Sequence, residues 1–137
     1  MPSTNNACGA VAIITNSAGE LLLHLRDNFP GIAWPGHWSL LGGATDPGED
    51  PSGTIVRELR EEASIAVETI TELFEVRDEN GSGSMITFFA ARWEGDETLL
   101  PLTEGVELRY FEPRHLPTPI PPYIRDAIHR YLTDTSI

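Results

Sequence analysis

Glu58, Glu61 and Glu62 crowd one short run, "RELREEASI", from Arg57 to Ile65. Carboxylates are the oxygen groups that bind hard divalent cations and that move protons in hydrolysis. Acids three and four residues apart are neighbours on a helix, and each like-charged pair is unfavourable by roughly 0.2–0.5 kcal/mol. The run falls near the C-terminal end of its expected helix, where partial negative charge disfavours each acid by about 0.3–1 kcal/mol. Arg57 and Arg60 offset part of this. On an arbitrary helix such a run is a solvated charged face, so the surrounding sequence must say whether this one does more.

The helix that positions these acids has a clear start. Asp50 is the expected N-cap and Pro51 the first helical residue, a favoured pair. The helix is expected to run to about Ala63. At its periodicity Ile55, Val56, Leu59 and Ala63 share one face, and the three glutamates another, roughly opposite. The apolar stripe must pack on something, leaving the carboxylates facing outward or into a cleft.

The remaining elements are mostly strands. Runs at 8–15 and 21–26 are β-branched or apolar and flank the turn "NSAGE", so they are expected to form a hairpin. Residues 27–38 carry Pro and Gly and read as a loop. A short strand is expected over 39–43, running into glycines, and a loop over 44–50. Alternating β-formers over 65–78 and a strand over 85–94 flank a Gly-rich turn, 79–84. A loop over 95–105, a strand over 106–111, a proline-rich extended linker over 113–122 and an amphipathic helix over 123–132 complete the chain. Strands dominate, with two helices to cover them, which is an α+β layered domain with a mixed or antiparallel sheet.

The chain has 137 residues, a length that suits one domain, 1–137, with a real core. Its net charge of −12 would repel a nucleic acid polymer. A small phosphorylated ligand is compatible with that surface, because a divalent cation can bridge two anions. No apolar run approaches the ~20 residues of a membrane-spanning helix. The N-terminus lacks the basic and apolar regions of a secretory signal. Cys8 is the single cysteine, so no intrachain disulfide can form, and a reducing cytoplasm is expected. It is expected as a small buried residue at the start of a strand.

The stretch from Gly43, "GATDPGEDPSGTIVRELREEASI", has a specific spacing. Gly43 is followed by five residues, Glu49, seven residues, Arg57-Glu58-Leu59, one residue, Glu61-Glu62, one residue, and Ser64-Ile65. This resembles the signature of the Nudix hydrolases, in which the last pair is Gly-aliphatic. Ser64 is the one departure. The preceding "HWSLLGG" resembles the Trp-x-x-Pro-Gly-Gly run that often leads into that box, with Leu41 where many relatives have proline.

The resemblance implies a Nudix-like α/β/α sandwich, with a mixed, mainly antiparallel sheet, the box helix and a C-terminal helix. It implies Mg²⁺, or Mn²⁺ in its place, held by Glu58, Glu61 and Glu62 with the Gly42 carbonyl. Glu58 would also orient or deprotonate the attacking water. Glu49 would close its loop over the helix, and Arg57 would hold the carboxylates by ion pairing. Related enzymes often draw a further carboxylate from a late loop, which points to Glu104. A glycine at position 64 could take a left-handed conformation; serine would be strained by roughly 1–2 kcal/mol there, so the chain is expected to leave the helix differently.

Outside the box, Arg26 ends a strand and could grip a phosphate. Trp34, Trp38 and Phe29 could stack on a base, although aromatic residues in or beside a loop more often pack. His24, His37, His115 and His129 show no metal-ligand spacing. The leading expectation is a metal-dependent pyrophosphohydrolase acting on a nucleoside diphosphate linked to another moiety, either a nucleoside triphosphate or a nucleotide sugar. The alternative is a non-catalytic nucleotide-binding or regulatory module, although such proteins usually lose box carboxylates and this chain keeps all of them. An isoprenoid diphosphate isomerase needs an active-site cysteine, and Cys8 lies far upstream. The proline-rich tail and the 27–38 loop could serve a homodimer interface.

Overall fold

The structure is a computed structural model, and it describes residues 8–67, 69–79, 83–100 and 105–135. The strands are β1 (Cys8–Thr15), β2 (Leu21–Leu25), β3 (Trp38–Ser39), β4 (Leu41–Ala44), β5 (Ile70–Arg77), β6 (Met85–Arg92) and β7 (Glu107–Phe111). The helices are α1 (Pro51–Ala63) and α2 (Pro122–Thr135). The strands form one sheet in the order β3-β2-β1-β6-β5, with β4 also pairing β1 and β7 pairing β2. Only the β1–β6 ladder is parallel among the described pairs.

β1 explains the layering. It is apolar at nearly every position, as a strand buried on both faces must be. Ala10, Ala12 and Ile14 turn to one side, where Ile55, Leu59 and Ala63 of α1 cover them. Val11 and Ile13 turn to the other, where Ile124, Ala127 and Ile128 of α2 cover them. The result is a mixed, mainly antiparallel sheet between two helices. No helix among the described residues is long and apolar enough to cross a membrane.

Several expectations change in detail. The β1–β2 hairpin is paired only near its tip, at Thr15 and Leu21. Farther along, β4 takes over β1 from Gly9 to Ala12 and β3 takes over β2 at His24 and Leu25, while β7 pairs β2 along its whole length. The expected 39–43 strand divides at Leu40 into β3 and β4. The strand expected from 65 begins at Ile70, because Ile65 is folded back under the end of α1. The 113–122 linker includes a short 3-10 turn, Pro113–His115. Val56 is 37% exposed rather than on the apolar stripe, and Thr54 is buried instead. Glu62 was expected opposite that stripe but is 6% exposed, since it stands seven residues after Ile55 and shares its face. Cys8 was expected to be buried and is exposed, because it opens β1 at the end of the sheet and the close packing starts one residue later.

Ser64 corrects the expectation about the helix exit. Its φ of 58° and ψ of 29° are left-handed, the conformation a glycine would take. The Ser64 N–H donates to the Arg60 carbonyl and the Ile65 N–H to the Leu59 carbonyl, each at 3.0 Å. These bonds satisfy helix-end carbonyls, and Ile65 is buried to 1% in the α1-side core. Together they outweigh the strain. Ser64→Gly should therefore raise stability by about 0.5–1 kcal/mol, the relieved strain less the greater freedom of the unfolded chain. Urea unfolding should show a higher midpoint with an unchanged slope.

His24 on β2 is 3% exposed, and among the described residues its Nδ1 has no hydrogen-bond partner. Burial first, and then the Arg26 charge, lower its pKa to about 4 from the ordinary 6.5. The unfolded chain therefore takes up this proton before the folded one does. The stability linked to His24 is complete above pH 6.5 and lost as pH falls toward 4, by about 3 kcal/mol in all. His24→Leu should flatten the pH dependence of the urea midpoint across that window.

Candidate active site

The acidic run is organised by Arg57. Its guanidinium grips Glu49 with two bonds, Nε to Oε2 at 2.8 Å and Nη2 to Oε1 at 3.0 Å. Nη1 donates to Glu58 Oε2 and to Glu61 Oε1, both at 2.9 Å. Nη2 also donates to the Ala44 carbonyl at 3.0 Å, and Asp46 lies 3.4 Å from Nε. One cation thus faces four carboxylates. Glu49 is fixed further by the Asp46 N–H at 3.0 Å and the Thr54 hydroxyl at 2.8 Å. The Arg57 hydrogen bonds, followed by the Asp46 N–H, hold the Glu49 pKa down to about 2.

The other acids meet the glycines that precede the box loop. Glu62 Oε1 accepts the Gly42 N–H at 3.1 Å. The Glu58 carboxylate lies against Gly43, where an added Cβ would stand 2.3 Å from Oε1. At Gly42, φ is 153° and a Cβ would lie 2.0 Å from the Ala10 carbonyl oxygen. A side chain at Gly42 would strike the β1 backbone and one at Gly43 would displace the Glu58 carboxylate, so these glycines let β4, β1 and the acidic face of α1 come together.

The donor set suits a hard divalent cation: all the groups are oxygens, and their negative charge exceeds that of the one guanidinium among them. Among the described residues, no three His, Cys, Asp or Glu side chains are gathered closely enough to cage an ion as they stand. Arg57 takes up Glu58 and Glu61, and Glu62 turns to Gly42. Among the glutamates that Arg57 binds, Glu61 is the most open, its side chain 61% exposed.

Gly42 and Gly43 also line a cleft of about 310 Å³, together with Arg26, Trp34, Asp78 and Tyr123. Arg26 faces this cleft, and its Nε donates to the Ala33 carbonyl at 2.7 Å. Trp34 reaches the cleft from the 27–37 loop. Trp38 does not: it is buried in the α2-side core, edge-on to Phe111 with ring centroids 5.0 Å apart. Phe29 is exposed beside a smaller cavity lined by His24 and Arg26. Glu104 lies outside the described residues. Asp78 and Tyr123 were not among the expected site residues. Asp78 simply ends an alternating run, and Tyr123 reads as part of an amphipathic helix, so neither carries a local signal.

Because Glu49 is held down by Arg57, the stability due to their contact is present above pH 4.5 and lost as pH falls toward 2. Carboxyl-carbon NMR should show Glu49 titrating near pH 2. In Arg57→Gln its midpoint should rise toward the ordinary glutamate value.

Comparison with known proteins agrees with this architecture. A family model described as NUDIX domain matches residues 6–131. A nucleoside triphosphate pyrophosphatase/Nudix hydrolase fusion protein of Bifidobacterium longum is 36% identical over 97 residues, spanning 61% of this chain and 20% of the relative. An RNA pyrophosphohydrolase of Novosphingobium aromaticivorans is 28% identical over 144 residues, spanning 89% of this chain and 86% of the relative. This chain therefore spans only a fifth of the first of these relatives. The crystal structure of a MutT NUDIX hydrolase from Burkholderia pseudomallei superposes with a TM-score of 0.75 at 28% identity, covering 89% of this chain and 95% of that one. With the family match extending over nearly the whole chain, this protein belongs to the NUDIX domain family.

Proposed function

We propose that this protein is a metal-dependent pyrophosphohydrolase that cleaves a nucleoside diphosphate linked to another moiety by attack of water on phosphorus. One observation carries the reading: the box acids and the cleft meet at the same two residues. Gly42 and Gly43 line the cleft on one side and touch Glu62 and Glu58 on the other. A diphosphate seated against these glycines would lie next to the acidic face of α1. The family match and the names of the relatives support the same class of reaction.

Glu58, Glu61 and Glu62, with the Gly42 carbonyl, are the groups that would hold Mg²⁺ or Mn²⁺. Such an ion, when bound, neutralises phosphoryl charge and lowers the pKa of a bound water. Glu58, 17% exposed at its side chain and held by Arg57, would orient the attacking water and receive its proton. Arg57 is a positioning residue: it fixes Glu49 and Glu58, while Glu61, the most exposed of its glutamate partners, would turn toward a ligand. Arg26 faces the cleft with nitrogens suited to a phosphate oxygen. Glu104 is a further candidate base from the loop before β7.

The test is a screen of nucleoside triphosphates, nucleotide sugars and dinucleotides with Mg²⁺ or Mn²⁺. Turnover is expected only with metal. Glu61→Gln should lower kcat/KM at least ~100-fold while leaving the thermal midpoint without metal little changed. Thermal stabilisation by a nucleotide with no turnover would instead identify a binding module.

A further inference from the structure

Two cavities meet at three side chains. Beyond the cleft at Gly42 and Gly43 lies a second cavity of about 330 Å³, beside α2. Trp34, Asp78 and Tyr123 line both. Asp78 follows β5 and is 2% exposed. Its N–H donates to the Ser84 carbonyl at 2.9 Å, and its own carbonyl accepts the Gly83 N–H at 2.8 Å. The end of the β5–β6 hairpin therefore holds its backbone in place.

Trp34 comes to Asp78 across 44 residues of sequence. Its single indole N–H is divided between the two carboxylate oxygens, at 3.1 and 3.2 Å. One donor split between two acceptors makes a weaker contact than two directed bonds. Trp34 also has a φ of 52°, uncommon for a bulky residue. The rings around this point are close: Trp34 to Tyr123 is 6.5 Å between centroids, and Tyr123 to Phe88 is 6.2 Å. Burial, and then the Asp78 charge, keep the Tyr123 phenol protonated.

An ionised carboxylate only accepts hydrogen bonds. Set among aromatic rings in a nucleotide cleft, it can read a base by its N–H groups. Guanine presents two adjacent donors, the ring N1–H and the exocyclic amine, matched to the two oxygens of one carboxylate. Adenine offers one amine beside a ring nitrogen acceptor, which a carboxylate repels. Cytosine does the same, and uracil sets one N–H between two carbonyls. We propose that Asp78 is a specificity-determining residue that selects a base with two adjacent N–H donors, guanine among the common ones, with Trp34 and Tyr123 forming the aromatic walls. The base would replace the divided indole bond with two parallel ones. This inference rests on the cleft at Gly42 and Gly43 being the substrate cleft.

Equilibrium binding of guanosine, inosine and adenosine monophosphates tests this independently of turnover. Inosine keeps the ring N–H and lacks the amine. Wild type should bind the guanosine compound at least ~5-fold more tightly than either of the others, the lower end of what one bidentate contact discriminates. Asp78→Asn should bring the three affinities to within about 2-fold of one another, a loss of the same contact. Trp34→Phe removes the indole donor while keeping a ring, and should weaken all three while preserving their order. Equal affinities in wild type would overturn the proposal. So would an Asp78→Asn protein that keeps the order, or one that matches Trp34→Phe, since Asp78 would then serve only to anchor Trp34. The wild-type series stands even if Asp78→Asn does not fold. Binding without guanine preference alongside metal-dependent turnover would overturn this inference and leave the proposed function intact.

Discussion

A single guanidinium holds the acidic surface together. Arg57 binds Glu49 from the preceding loop, Glu58 and Glu61 from its own helix, and the backbone of Ala44. Without it the four acids would repel one another across a few ångströms, and the loop would have little reason to lie on the helix. With it, the array stays in place and still carries surplus negative charge. Crowded acids at the end of a helix are poor design for stability alone. Under the proposed function they make sense as a surface whose repulsion is only partly relieved inside the chain, leaving the remainder for a cation.

The second constraint is close approach. β4 is bonded to β1 from Gly9 to Ala12; a side chain at Gly42 would strike the β1 backbone, and one at Gly43 would displace the Glu58 carboxylate. The same lack of side chains lets Glu58 and Glu62 come down onto the backbone from above. Fold and site therefore share residues here. Under the proposed function, the pairing that joins the sheet would also fix where a phosphate lies relative to the carboxylates.

The cleft itself is built from segments far apart in sequence. Arg26 closes β2, Trp34 stands in the following loop, Asp78 follows β5, and Tyr123 lies in the first turn of α2. Their meeting depends on the α2-side core, where Ile124, Ala127 and Ile128 seat the helix on Val11, Ile13, Leu21 and Leu23. The acidic machinery, by contrast, sits in one continuous stretch. In the proposed function, chemistry and recognition are thus encoded differently, the first locally and the second through packing.

That difference marks how much could be read from the sequence. The start of α1 was legible because Asp50 and Pro51 act within one turn, and the Asp50 side chain does accept the Gly53 N–H. β1 was legible because an unbroken apolar run has few other uses. The α+β layered class followed from the count of strands and helices, and the family, with the sandwich it implies, from the resemblance carried by the box spacing. The left-handed exit at Ser64 was not legible, because what compensates its strain is the burial of Ile65 in a core assembled from other strands. Nor was the turning of Glu62 toward Gly42, the packing of Trp38 or the pairing of Trp34 with Asp78. Propensity, capping and periodicity act between residues a few positions apart, so the sequence alone determined the elements and the acidic array. Burial and long-range hydrogen bonds exist only once distant segments have closed on one another, and those the tertiary structure decided.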